Sequence, residues 1–181
     1  MKGYLTINAI EQQLRSAATD FIRYCSSLTE EQFFYKPADK WSPAQQVRHL
    51  IIAADNTRLA FALPKFIVRW YAGKPNRLSR SYDELVAKYK LKLEQGGKAS
   101  GRFIPKPISA SSGKQKMLGQ FKSSMDKLVH AIQSKWNEPQ LDQYIAPHPL
   151  LGKITLRELG YFTSHHTYHH LDSIQKMTSG I

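Results

Sequence analysis

The chain has 181 residues, of which 41% are hydrophobic, so it can bury a sizeable core but is short for two enzyme domains. Its net charge is +12, and its only cysteine, Cys25, excludes an intramolecular disulfide and favours a reducing compartment. No stretch approaches the roughly 20 apolar residues of a membrane-spanning helix, and the N-terminus lacks the apolar core of a signal peptide. We therefore expect one domain over residues 1–181, in a soluble, cytoplasmic protein without a membrane partner.

The first predicted helix covers about residues 8–28, where apolar residues recur at helical spacing. Asn8 and Glu11 are spaced as a capping box at its start. Cys25 lies among the apolar residues of this helix, so we expect its thiol to be packed rather than reactive.

The second predicted helix covers residues 43–63 and has a well-defined start. Ser42 is a natural N-cap, Pro43 suits the first helical position, and Gln45 completes a capping box. His49 lies at the border of the apolar stripe, roughly 10 Å into the helix at about 1.5 Å per residue. This histidine can therefore face the interior of a helical bundle.

The connection that follows, residues 64–116, is strongly basic. It holds 13 Lys or Arg against 3 Asp or Glu, a net charge of +10, and the rest of the chain carries only +2. Ser81 and Glu84 predict a capping box that opens a short accessory helix, which runs through Leu93 and stops at a glycine pair. Residues 105–113 are predicted to form an irregular loop.

This concentration of positive charge could attract an anionic substrate, a thiol cofactor that bears carboxylates, or nucleic acid. A solubilising surface is an equally good interpretation. Aromatic residues interleave with the charges, as in proteins that bind single-stranded nucleic acid. They are Phe66, Trp70, Tyr71, Tyr82, Tyr89 and Phe103. Because helix packing explains most of them and no nucleic-acid-binding motif is present, we do not expect a nucleic-acid partner.

Two further long helices are predicted in the last third of the chain. One covers residues 114–136, and the other opens at Thr155, where Glu158 completes a capping box, and continues to about Met177. No strand pattern competes with these helices. The sequence therefore predicts an all-α fold, a four-helix bundle with an accessory helix in the 64–116 connection between helices 2 and 3.

Four of the seven histidines fall within six residues of the last predicted helix. Residues four apart lie on one helical face, so two imidazoles at that spacing can reach one divalent cation. The run offers two such pairs, His165 with His169 and His166 with His170.

The pattern around the histidines distinguishes the two pairs. One face of the helix is largely apolar and carries Leu159, Phe162, Thr163, His166, His170 and Ile174. The other is more polar and carries Glu158, Tyr161, His165, His169 and Asp172. Core histidines with ordinary hydrogen bonds would also fit this pattern. Two inward imidazoles one turn apart favour a shared cation, because each buried ring needs a polar partner.

A stable metal site needs a third ligand from another helix. His49 is the best candidate, because the second predicted helix can turn it towards the bundle interior. His130 is less suitable, since it lies in a separate helix whose apolar positions are elsewhere. His148 stands between two prolines and is expected to shape a loop, with a contact to the substrate as the alternative.

Three motifs together resemble the DinB-like superfamily of four-helix metal proteins, which includes thiol-dependent S-transferases and proteins described as metal-dependent hydrolases. Trp41-Ser42-Pro43, leading to His49-Leu50, looks like the second-helix motif that carries the first ligand. Residues 148–155, HPLLGKIT, are similar to the loop before the last helix. Residues 166–174, HTYHHLDSI, resemble the last-helix motif, whose first and fifth positions supply the other two ligands.

The resemblance implies a three-histidine site of His49, His166 and His170, commonly occupied by nickel or zinc with water in the remaining positions. It implies a hydrolase or S-transferase that uses metal-activated water or a low-molecular-weight thiol on a small-molecule substrate. The alternative is a non-catalytic metal-binding or stress-response protein whose basic insertion, residues 64–116, binds an anionic partner. A minimal family member would not need this insertion. The oligomeric state stays open, with a homodimer as one option.

Metal-bound histidines usually donate their second ring N–H to a neighbouring acceptor, which fixes the orientation of the ring. Asp55, Asn56 and Asp172 are close enough in sequence to the expected ligands to be candidates. Surface solvation explains each of them equally well.

Overall fold

The computed structural model describes residues 4–179 of the chain. Met1, Lys2 and Gly3, which enter the expectation about a signal peptide, lie outside the described residues, as do residues 180–181. The described part is mainly α-helical, which confirms the predicted all-α fold. Its elements in chain order are α1 (Ile7–Ser27), α2 (Glu30–Phe34), α3 (Pro43–Ala62), α4 (Lys65–Ala72), α5 (Tyr82–Glu94), 3₁₀ turns at Gly101–Phe103 and Ala110–Ser112, α6 (Lys114–Lys135), α7 (Glu138–Gln143), β1 (Ile145–His148), β2 (Gly152–Thr155) and α8 (Leu156–Thr178).

The four long helices α1, α3, α6 and α8 form the predicted bundle, and each begins and ends within about one residue of the expected position. Their apolar stripes meet in one core. Phe21 of α1 and Phe121 of α6 are fully buried, with their ring centroids 5.1 Å apart. Cys25 is buried in the same core, as expected for a packed thiol, and burial raises its pKa to about 12.

Local capping signals predicted most helix starts correctly. The capping boxes that open α3, α5 and α8 are present, at Ser42, Ser81 and Thr155. The box predicted at Asn8 is wrong, because Thr6 is the N-cap of α1 and its hydroxyl accepts from the Ala9 amide at 3.2 Å. Thr6 and Asn8 are both good capping residues, and a sequence pattern alone does not choose between neighbours.

The expectation that no strands form was wrong in one place. β1 and β2 form an antiparallel hairpin in which His148 pairs with Gly152. Each strand has only four residues, and Pro147 interrupts the first, so no alternating pattern is long enough to recognise. The short helices α2, α4 and α7 were not predicted for the same reason, since five to eight residues carry little periodicity.

The accessory helix α5 and the segment before it pack against α8. Tyr89 of α5 is buried, with its ring centroid 5.1 Å from that of Phe162. Glu158, predicted on a polar face, is instead fully buried, and so is Tyr161. The basic insertion therefore covers the first turns of α8, the helix that carries the histidine run. The high charge of the insertion had suggested a surface segment and did not indicate this contact.

Glu158 is the centre of this contact. Arg77 donates to both of its carboxylate oxygens, at 2.7 and 2.8 Å, and the backbone N–H of Arg80 donates at 2.7 Å. The Thr155 amide donates at 3.0 Å as part of the capping box. Tyr161 is buried beside it, and its hydroxyl accepts from the Leu5 amide at 2.9 Å. One carboxylate thus completes the capping box of α8 and binds two arginines of the insertion.

Helix α4 presents aromatic side chains to solvent. Phe66, Trp70 and Tyr71 are 74%, 83% and 71% exposed. The two cations of this helix are half-buried and pack on aromatic rings: Lys65 lies 5.2 Å from the centroid of the Trp136 ring and Arg69 lies 4.4 Å from that of the Tyr144 ring. Helix packing therefore explains only three of the six interleaved aromatic residues, not most of them as predicted. It accounts for the three in and beyond α5, which are Tyr82, Tyr89 and Phe103.

Among residues 4–179, no helix is both long enough and apolar enough to cross a membrane.

Candidate metal centre

Three histidines from two helices converge inside the bundle. His49 of α3 and His166 and His170 of α8 are all buried, and their ligand atoms lie within 4.8 Å of one another. The Nε2 atom of His166 is 3.1 Å from Nε2 of His49 and 3.1 Å from Nε2 of His170. The structure therefore brings together the three histidines that were predicted as ligands.

The capping boxes at the starts of α3 and α8 set the positions of these side chains. His166 and His170 are one helical turn apart, so their rings project from the same face of α8. His49 lies seven residues after the N-cap Ser42, on the side of α3 that faces α8. Trp41, directly before that cap, packs with its ring centroid 5.1 Å from His49 and 6.4 Å from His170.

The second nitrogen of two of these rings is held by an acceptor. Nδ1–H of His49 donates to the Phe103 carbonyl at 2.7 Å. Nδ1–H of His170 donates to the side-chain oxygen of Gln46 at 2.8 Å. The Gln46 amide is itself oriented, because its NH₂ group donates to the Trp41 carbonyl at 3.3 Å. Both rings, when neutral, must therefore carry their lone pair on Nε2.

Two lone pairs directed at the same point need a positive partner. Nε2 of His166 can share at most one proton with its neighbours, so hydrogen bonding alone does not satisfy Nε2 of both His49 and His170. A zinc–nitrogen bond of about 2.0–2.1 Å in tetrahedral geometry separates two ligand nitrogens by about 3.3 Å. The observed 3.1 Å is close to that value, and this buried three-histidine group can hold a metal ion.

Burial keeps the three rings uncharged. It lowers the pKa of His49 and places those of His166 and His170 well below the ordinary value near 6.5. The positive charge that neighbouring histidines would carry lowers these pKa values further. Neutral imidazole is the form that binds metal, so the site is ready to coordinate a cation at neutral pH.

The other histidines lie outside the cluster. His165 and His169 are half-buried on the neighbouring face of α8, and their ring centroids are 5.8 and 5.9 Å from that of Tyr89. His130 is exposed on α6. His148 ends β1 and shapes the turn of the hairpin, as the two flanking prolines suggested.

The prediction that Asp55, Asn56 or Asp172 orients the ligands was wrong. Asp55 lies 4.0 Å from Arg58, Asp172 is paired with Lys176 at 2.7 Å, and Asn56 donates to a backbone carbonyl of its own helix. The acceptors are the Phe103 carbonyl and Gln46 instead. A backbone carbonyl leaves no mark in the sequence, whereas Gln46 could have been noticed as a polar residue one turn before His49.

Aromatic rings enclose His166. Phe162 stacks on it with ring centroids 4.9 Å apart and an interplanar angle of 24°, and Tyr89 lies edge-on at 6.3 Å. These two aromatic rings limit the access of water to the His166 imidazole and fix its orientation. Since Tyr89 and Phe103 both belong to residues 64–116, the basic insertion forms part of the site.

A comparison with known protein families covers the part of the chain that contains this site. The family model of the DinB superfamily matches residues 13–174, a range that includes all three histidines of the cluster. No curated protein matches the chain significantly.

Proposed function

Because this chain belongs to the DinB superfamily, we propose that it is a divalent-metal-dependent enzyme in which His49, His166 and His170 bind one cation, nickel or zinc. The reaction is hydrolysis or thiol S-transfer. One observation supports the proposal most strongly. The Phe103 carbonyl and Gln46 orient His49 and His170, so that the Nε2 lone pairs of both rings are directed at the position beside Nε2 of His166.

A cation bound by three neutral imidazoles keeps its full charge and lowers the pKa of a water or thiol that joins it. The residues of the chain hold this arrangement in place. Phe103 and Gln46 fix the ring orientations of His49 and His170, which raises the basicity of both ligands. Trp41 and Phe162 pack against the imidazoles and keep bulk water from their faces.

The substrate we propose is a small molecule that is anionic or reacts with a low-molecular-weight thiol. Support comes from the charge of the basic insertion, a net +10 over residues 64–116. Part of that charge is near the site, because Arg102 lies beside the Phe103 ring and donates to Asn56. Positive potential around a cleft raises the local concentration of anions and their rate of association.

The proposed activity is tested with apoprotein reloaded with nickel or zinc. We expect turnover either of a labile ester or of a low-molecular-weight thiol with an electrophile that carries a leaving group. Alanine at position 49, 166 or 170 should reduce turnover by about a hundredfold or more, since several kcal/mol of charge stabilisation is lost with the cation. The variants His165→Ala and His169→Ala serve as controls and should stay active. Turnover that survives metal removal would contradict the proposal.

A second function is favoured by one observation, the exposed aromatic side chains of α4. Under this alternative the protein is a non-catalytic metal-binding or stress-response protein, and the basic insertion recruits an anionic partner. Phe66, Trp70 and Tyr71 project from a segment of high positive charge, and such a surface suits a polyanion with planar groups.

This second function predicts binding of a labelled single-stranded oligonucleotide, used as a model polyanion and measured by fluorescence anisotropy. The affinity should fall steeply with added salt, survive His166→Ala, and decrease about tenfold in Trp70→Ala, since one stacked base is worth about 1–3 kcal/mol. Tyr35→Ala is the matched control, because Tyr35 is a half-exposed aromatic residue outside the insertion. Absence of binding even at low salt would exclude the second function.

A further inference from the structure

His148 occupies a fixed position beside the metal centre. It is the last residue of β1 and pairs with Gly152, the first residue of β2. Gly152 has a φ of 73°, which lets the chain turn back into β2. The ring centroid of His148 is 4.1 Å from that of Phe162, and the same Phe162 ring stacks on His166 with the centroids 4.9 Å apart. His148 therefore shares an aromatic neighbour with a histidine of the cluster.

The hydrogen bonds of the hairpin determine which nitrogen of His148 carries the proton. Nδ1 accepts from the amides of Leu150 and Leu151, at 3.2 and 3.1 Å, so it has no proton of its own. Burial lowers the pKa of His148 to about 4, and the ring is neutral at neutral pH. The single proton is therefore on Nε2.

The Nε2–H group of His148 has no acceptor among residues 4–179, and this nitrogen keeps some accessible surface. A molecule that enters from solvent can therefore accept from this N–H group. His148 is not suited to be a fourth ligand, since coordination needs a lone pair and its only ring lone pair is engaged by the turn. What this geometry offers is a hydrogen-bond donor.

We propose that His148 is a positioning residue of the site, whose Nε2–H donates to an acceptor atom of the molecule that binds beside His49, His166 and His170. This inference rests on the proposed function. It also narrows the substrate class, because a donor at this place favours an anionic or lone-pair-rich atom, such as a thiolate or carboxylate, over an apolar group.

Two substitutions separate this role from that of shaping the turn. The amide oxygen of asparagine in His148→Asn is placed like Nδ1 and can accept from Leu150 and Leu151, but the variant has no donor at the Nε2 position. The amide nitrogen of glutamine in His148→Gln is placed like Nε2 and keeps the donor, while the acceptor of the turn is lost. A residue that only shapes the turn should tolerate His148→Asn better than His148→Gln, and a positioning residue should show the reverse.

The experiment uses the cobalt(II)-loaded full-length protein and azide as the anionic probe, with the visible spectrum of cobalt as the readout. We expect wild type and both variants to bind the same amount of cobalt, because His148 is not a ligand. The dissociation constant for azide should rise about tenfold or more in His148→Asn, as expected for a lost hydrogen bond to a charged group, and stay within about threefold in His148→Gln.

The possible results distinguish failure of this inference from failure of the proposed function. Equal azide affinity in wild type and His148→Asn would overturn the role of His148 and leave the metal centre intact. Cobalt binding without azide binding in wild type would also overturn it. Wild-type protein that binds no cobalt would overturn the proposed function itself. If His148→Asn does not fold, a loss of azide affinity in folded His148→Gln would refute the inference, and its retention would support it.

Discussion

Protein loaded with nickel or zinc is expected to keep about one metal ion per chain, and alanine at position 49, 166 or 170 is expected to abolish this retention. Each substitution leaves only two imidazoles, which are too few for a stable site. At a free metal concentration a hundredfold above the dissociation constant, binding should add about 2.7 kcal/mol to the free energy of unfolding. Metal content is measured by mass spectrometry on tag-free protein, and stability by thermal melting with and without metal.

The helix that carries the site provides its own controls. His165 and His169 each directly precede an expected ligand, have the same chemistry and are half-buried, but lie outside the cluster. Their alanine variants should keep metal and its stabilising effect. Wild-type protein that takes up neither metal after loading would contradict the prediction, and so would equal metal loss in the controls, which would indicate binding to histidines at the surface.

The parts of this site that the sequence predicted are those determined by local periodicity. The pattern of α8 turned His166 and His170 inwards, and their burial agrees. His165 and His169 lie on the face predicted to be more polar, and they are half-buried against Tyr89. The capping box at Ser42 fixed the start of α3 and hence the face of His49. Periodicity left His49 at the border of the apolar stripe and still made it the best candidate for the third ligand, and the resemblance to the DinB-like superfamily selected the same residue.

The parts that were missed depend on contacts between segments far apart in the chain. The Phe103 carbonyl reaches His49 across 54 residues, and any residue of the insertion could have offered a carbonyl. The tautomer of His148 follows from a turn within two four-residue strands, too short for a recognisable pattern. The burial of Glu158 requires Arg77, 81 residues earlier in the chain. Propensity and periodicity describe single elements and contain no information about such pairs.

Glu158→Ala should lower the free energy of unfolding by about 3 kcal/mol, because this side chain is fully buried and pairs with two arginines. Removing one partner of a buried ion pair costs about 3–5 kcal/mol, because the remaining charge is left without compensation. The lower end of the range applies here, since Arg77 and Arg80 are 30% and 23% exposed and can turn to water. The variant also loses the acceptor of the Thr155 amide in the capping box of α8, and it loosens the insertion that carries Phe103. Urea unfolding of the metal-free protein measures the change.

The pH dependence of Glu158→Gln tests the same contact in another way. Burial alone would raise the pKa of Glu158, but hydrogen bonds from Arg77, Arg80 and Thr155 hold it below its ordinary value. A carboxylate with a lowered pKa in the folded protein stabilises it at neutral pH, and this contribution is lost as the pH falls below about 4.5. The stability difference between wild type and Glu158→Gln should therefore narrow in acid. Asp126→Asn is the matched control, because Asp126 pairs with Lys122 at 2.6 Å but is 49% exposed, and it should cost less than about 1 kcal/mol. Equal losses in the two variants would show that Glu158 acts as an ordinary surface charge.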